Sequence, residues 1–152
     1  MHPIECNRLD MLASQPTYRV SSRTHAICAV HAECPSLAHL GTAGAKLNKE
    51  KMHDAVRRME GKNASGKKQY SIRMVSQEVS DALSGFPHNA VTPIGMVKEV
   101  PVLLSDKIKT LPEGKLWLGG GEPDLKLRID VAEFASKFVS AGQPPVFADI
   151  TE

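Results

Sequence analysis

The chain has 152 residues, which fits one domain with a core large enough to fold without disulfides or metals. An ordinary charged fraction of 24% gives no sign of disorder, and a formal net charge of +2 excludes a global electrostatic pull toward nucleic acid. Three cysteines (Cys6, Cys28 and Cys34) cannot all pair within one chain, no signal peptide opens the sequence, and no apolar run approaches the roughly 18 residues of a membrane helix, so a reducing, cytoplasmic setting without a membrane partner is expected.

Residues 1–22 show no clear period, although Leu9, Met11, Leu12 and Ala13 could make one helical turn. In THAICAVH (24–31) both alternating sets are mostly apolar, which predicts a strand buried on both faces. ECPSLAHLGTAGA (33–45) carries Pro35, Gly41 and Gly44 and reads as a loop. A helix is predicted over 49–60, with Asn48 as N-cap, Met52, Ala55, Val56 and Met59 on one face, and Gly61 as the stop. The basic loop GKNASGKK follows. QYSIRMV then alternates as a strand, with Tyr70, Ile72 and Met74 on one face and Ser71 and Arg73 on a wet one.

A short helix is predicted over 77–84, capped by Ser76 and ended by Gly85. After the Pro- and Gly-rich GFPHNAVTPIGM, the segments VPVLLS, KLWLG and LKLRI read as strands, the last two joined tightly by GGGEPD. Asp130 and Glu133 form a capping box for a helix over 131–141, and PVFADI reads as a final strand. Short strands around three helices predict an α+β domain, a mixed and partly closed β-barrel surrounded by helices, with Ile27, Val102, Leu103, Leu104 and Leu127 buried.

Between Lys46 and Arg73 nine basic side chains stand against three acidic ones, which reads either as a solvated helix face or as a phosphate-contacting patch. Cys28, His31, Cys34 and His39 have soft-ligand spacing, but the offset of three between Cys28 and His31 puts them on opposite faces of a strand, so no metal site is expected. GGGEPD lacks the Lys-Ser/Thr of a Walker loop and leads into a strand, so no helix dipole awaits a phosphate. No serine sits in a nucleophile elbow. A hydrolase with this sequence must therefore work through backbone donors. GFPHNAVTPIGM suits that role, because Pro87 and Pro93 fix backbone angles, Gly95 permits an unusual one, and a stiff loop can aim several N–H groups into one cavity. The plainer alternative is a rigid connector from helix to strand.

Taken in order, KLNKEKM, SQEVSDALSGF, HNAVTPIGM, VPVLLSD, LGGGEPDLKLRI and VAEFASKF resemble the successive elements of the YbaK/prolyl-tRNA synthetase-associated domain family, over about Arg23 to Ile150. The resemblance implies an aminoacyl-tRNA deacylase that proofreads translation by cleaving the ester of mischarged tRNA, without metal or cofactor. Its partners would be aminoacylated tRNA and an aminoacyl-tRNA synthetase. Carried over, Asn89, Ala90, Val91, Thr92, Pro93 and Gly95 form the donor loop, and Gly119, Gly120, Gly121 and Asp124 flank the pocket between the two loops. Ser105 falls where many members have an aspartate, and Lys62, Lys67 and Lys68 are expected to meet tRNA.

Two departures stand out. The usual glycine pair of the donor loop is Asn89-Ala90 here, and no lysine precedes Lys46, so counting back places Arg23 where the family has its substrate-positioning lysine. The N-terminal segment 1–22 is shorter than the family's. The alternative that the resemblance leaves open is a catalytically degenerate module that binds tRNA or docks a synthetase.

Overall fold

Leucines 103 and 104 are neighbours in sequence, both fully buried, yet they belong to two different core clusters. That split describes the architecture. In the computed structural model, which describes residues 5–8, 25–29, 37–41, 45–64 and 70–152, the strands lie in two sheets. The larger sheet takes β4 (Arg73–Met74), β2 (His25–Ala29), β3 (Leu37–Leu40), β5 (Val102–Ser105) and β8 (Val146–Ala148), in that spatial order. The β2 pairings are antiparallel, and β3–β5 and β5–β8 are parallel, so the sheet is mixed. The smaller sheet is antiparallel, with β7 (Leu125–Asp130) between β1 (Glu5–Arg8) and β6 (Lys115–Gly119).

Successive side chains of a strand point to opposite faces. Leu37 and Leu103 therefore face the first cluster, where Met52, Ala55 and Val56 of α1 (Lys49–Glu60) pack with Tyr70, Ile72 and Ile150. Ala38, Leu40, Val102 and Leu104 face the second, with Leu116 and Leu118 of β6 and Val131 and Phe134 of α3 (Val131–Lys137). The larger sheet is thus covered on both faces, as expected for parallel strands with apolar runs.

The α+β class and the mixed sheet agree with the sequence reading, while the strands divide between two sheets and close no barrel among the described residues. Helix α1 and α2 (Gln77–Ser84) have the predicted bounds, with Asn48 accepting from the Glu50 and Lys51 N–H groups and Ser76 from Val79. Four expectations need correction. Leu37–Leu40 is a central strand rather than loop. Helix α3 ends at Lys137, not 141, because the chain turns extended at Phe138 and the Ser140 hydroxyl is drawn to Val100 O at 2.8 Å. Tyr70 and Ile72 are buried as expected, but Met74 is 55% exposed on an edge strand. Leu127 is only partly buried against the second cluster. The backbone of Ile27 and Cys28 lies in β2, whereas the suggested turn at 9–13, His31 and Cys34 lie outside the described residues.

Candidate functional site

Helix α2 ends in a left-handed Gly85 whose N–H closes on Asp81 O at 2.8 Å. The loop that follows returns to the same helix end, where Val97 N–H donates to Ser84 O (3.1 Å) and Lys98 N–H to Leu83 O (2.9 Å). Both ends of GFPHNAVTPIGM are therefore pinned to one helical turn. Inside it Ala90 N–H donates to Pro87 O at 3.0 Å, and Ile94 and Met96 pack on the second core cluster. Ala90, Thr92 and Pro93 are buried, and Asn89 and Gly95 are exposed, both with positive φ (67° and 77°).

The second glycine run touches this loop backbone to backbone. Gly121 N–H donates to Ala90 O at 3.1 Å. A β-carbon on Gly119 would stand 2.4 Å from Val91 O and 2.8 Å from Ala90 O, so the contact admits glycine alone. The carbonyls of residues 90 and 91 thus both face the end of β6. A trans peptide is planar, so its N–H points opposite to its C=O. The Val91 and Thr92 N–H groups consequently point away from the second run, so the donors do not face a pocket between the two loops, contrary to the sequence reading; the second run backs them instead. Neither donor has an acceptor among the described residues. Two adjacent donors without acceptors among the described residues, beside the buried Ala90, Thr92 and Pro93, are what an oxyanion site requires.

Gly120 and Gly121 also have defined duties. Gly120 N–H closes the turn on Leu125 O at 3.0 Å, and Gly121 adopts a φ of 92°. Phe86 sits between the two loops, since a β-carbon on Gly121 would come within 3.2 Å of its ring and one on Gly95 within 3.9 Å. Lys126 ties them from outside, its Nζ 3.3 Å from Asn89 O and 3.4 Å from Pro123 O. Sequence reasoning assigned no role to Phe86 or Lys126. The signal for Lys126 was its place opposite Gly119 in the hairpin register, visible once KLWLG and LKLRI are paired.

The structure brings together Asn89, Ala90, Val91, Thr92, Pro93, Gly95, Gly119, Gly120 and Gly121, with Asp124 exposed in the adjoining turn. Ser105 is fully buried at the end of β5, and its hydroxyl accepts from Lys107 N–H at 3.4 Å as the cap of the 3-10 turn Asp106–Thr110. Lys62 is exposed in the turn Gly61–Asn63 after α1. Arg23, Lys67 and Lys68 lie outside the described residues. No cluster of three His, Cys, Asp or Glu residues among the described ones could hold a metal ion, and none of the described helices is long and apolar enough to cross a membrane.

No family model and no curated protein matches the chain. Solved structures do match in fold. A candidate trans-editing enzyme for prolyl-tRNA synthetase superposes with a TM-score of 0.67 at 17% identity, over 98% of this chain and 87% of that one. A hypothetical protein gives 0.68 at 16% identity, over 99% and 92%. A scaffold protein from computational epitope backbone grafting gives 0.67 at 20% identity, over 98% and 86%. At these identities the likeness is one of fold, and it is the fold that the sequence resemblance implies.

Proposed function

We propose that the chain is an aminoacyl-tRNA deacylase that hydrolyses the ester of mischarged tRNA. The observation that carries this reading is the pair of Val91 and Thr92 N–H groups, without acceptors among the described residues while the carbonyls on either side of Val91 are held against the second glycine run. In ester cleavage water adds to the carbonyl carbon, its oxygen becomes an oxyanion, and the bond to the ribose oxygen breaks, releasing the amino acid and a tRNA hydroxyl. An ester is already activated, so fixed donors at the developing oxyanion can supply the main stabilisation without a nucleophilic side chain. Asn89, Ala90, Pro93 and Gly95 would shape that donor loop, and Gly119, Gly120, Gly121 and Asp124 would form its supporting wall.

Arg23 is proposed to bring the positive charge that positions the substrate in the related family. Ser105 is proposed as a residue of the pocket floor, and Lys62, Lys67 and Lys68 as phosphate contacts, with tRNA and a synthetase as partners in the cytoplasm. The missing family lysine favours one rival, a module that binds tRNA without turning it over.

The test is deacylation across a panel of mischarged tRNAs, run with the unaltered chain and with Arg23→Ala. Hydrolysis of at least one ester is expected, with a roughly 10²–10³-fold loss in Arg23→Ala, the usual cost of one oxyanion-stabilising group. Full activity in Arg23→Ala would remove Arg23 from the site and leave the donor loop. Binding of tRNA without turnover on any ester would establish the rival.

A further inference from the structure

The outer face of the β6–β7 hairpin has no part in the loop contacts, apart from Gly119 and Lys126 at its end. Leu116 and Leu118 point inward and are fully buried, so Trp117 between them points outward and stays partly exposed. It is the chain's one tryptophan. Register sets Trp117 opposite Arg128, Lys115 opposite Asp130 and Gly119 opposite Lys126, which gathers Lys115, Trp117, Arg128 and Lys126 on one face. The Arg128 guanidinium lies 5.9 Å from the indole centroid, within cation–π reach. Strand β6 is an edge of its sheet, so no neighbouring strand among the described residues covers the indole from that side.

The face is charged, and its cations already have partners. Arg128 pairs with Glu113 at 2.8 Å, and the Glu113 side chain is 73% exposed; Lys115 pairs with Asp130 at 3.4 Å. The other three side chains are each about one-third exposed, and ion pairs that solvent reaches are screened, so a phosphate can compete for the cations. From the indole the row continues through Arg128 to Lys126, whose ammonium already reaches Asn89 O in the donor loop. An indole flanked by cations combines the two elements that hold unpaired nucleotides: a ring on which a base stacks and positive charges that follow the backbone. A duplex keeps its bases stacked on one another and cannot offer one to a single ring.

We propose that this face is a platform for single-stranded RNA, with one base stacked on Trp117 and neighbouring phosphates on Arg128 and Lys126, and that it leads the 3′ end of the substrate to the donor loop. The direction of the strand rests on the deacylase reading; the binding itself does not. Because Trp117 is the one tryptophan, its emission reports the contact directly. The full chain is titrated with a short single-stranded oligoribonucleotide ending in CCA, following both Trp117 emission and the anisotropy of a labelled strand. Emission should change in step with binding. Trp117→Ala should weaken affinity about 5- to 150-fold, the loss of one base–aromatic stack, while Trp117→Phe keeps most of it. Arg128→Gln should weaken binding and flatten its salt dependence by roughly 0.7 in log–log slope, the value for one phosphate on a single strand. Binding without a change in Trp117 emission, unchanged affinity in a folded Trp117→Ala, or equal affinity for duplex RNA would each overturn the proposal. Quenching by the strand without ester hydrolysis on the tRNA panel would keep the platform and remove the deacylase; hydrolysis without quenching would do the reverse.

Discussion

Asn89 holds a φ of 67° where the resembling family usually has glycine, and the backbone explains the exchange. Asparagine tolerates the left-handed region better than other residues with a β-carbon. Replacing it with alanine should cost about 1 kcal/mol, and with glycine should leave stability nearly unchanged. Equal thermal midpoints for the alanine and glycine variants would show that the backbone there is not held left-handed. Gly119 is stricter, because the atoms its β-carbon would strike are the carbonyl oxygens of Ala90 and Val91, and backbone cannot swing aside as a side chain can. Gly119→Ala should therefore destabilise by roughly 1–3 kcal/mol and displace the Val91 and Thr92 donors, lowering the proposed deacylation even where the variant is fully folded. Thermal denaturation together with kcat separates the two effects, and a variant with native stability and rate would mean the two loops are not in contact. The sequence announced that both loops were unusual, through their glycines and prolines. It could not announce that the second run backs the first, since nothing in GGGEPD encodes which segment its backbone will touch.

At the scale of elements, the ends of α1 and α2 were legible because capping is local chemistry. Asn48 and Ser76 each accept N–H groups within three residues of themselves. The end of α3 was not, since a tertiary bond from Ser140 to Val100 O draws the chain away. Strand β3 was missed for a related reason: four residues between Pro35 and Gly41, buried on both faces, show neither alternation nor length. The start of α3 makes a pH-dependent prediction. Asp130 accepts the Glu133 N–H at 2.9 Å, and that bond, helped by Lys115, holds its carboxyl below the usual aspartate range. A depressed folded pKa gives stability that is present above the unfolded value and lost as pH falls through the folded one. Asp130→Asn keeps an acceptor at the cap but removes the charge. The wild-type advantage in Tm over Asp130→Asn should thus be present at neutral pH and shrink as pH drops below about 4, the ordinary aspartate value. A constant difference between pH 7 and pH 3 would show that the charge contributes nothing to the cap.

Across the whole molecule, one sheet divides two cores, and the candidate site stands over only one of them. The apolar runs of β3 and β5 imply burial on both faces, but which loops lie over which face depends on the crossovers between distant strands, and pattern alone does not encode those. Leu103 packs under α1, whereas Leu104 packs in the cluster that supports Ile94 and Met96 of the donor loop. Truncating either leucine to alanine should destabilise by about 2–5 kcal/mol, since both are fully buried and each change leaves a cavity. Their effects on the site should differ. At a temperature where both variants remain folded, Leu103→Ala should keep nearly the native rate of the proposed deacylation. Leu104→Ala should lose activity, because slack beneath Ile94 and Met96 loosens the segment that aims the Val91 and Thr92 donors, and misplacing a reacting group by about 1 Å can cost on the order of 10²-fold. The comparison holds stability loss roughly constant and varies only the core that is emptied. Equal rates in the two variants would mean that the donor loop is held by its own hydrogen bonds to Ser84, Leu83 and Gly121, independently of the core beneath it.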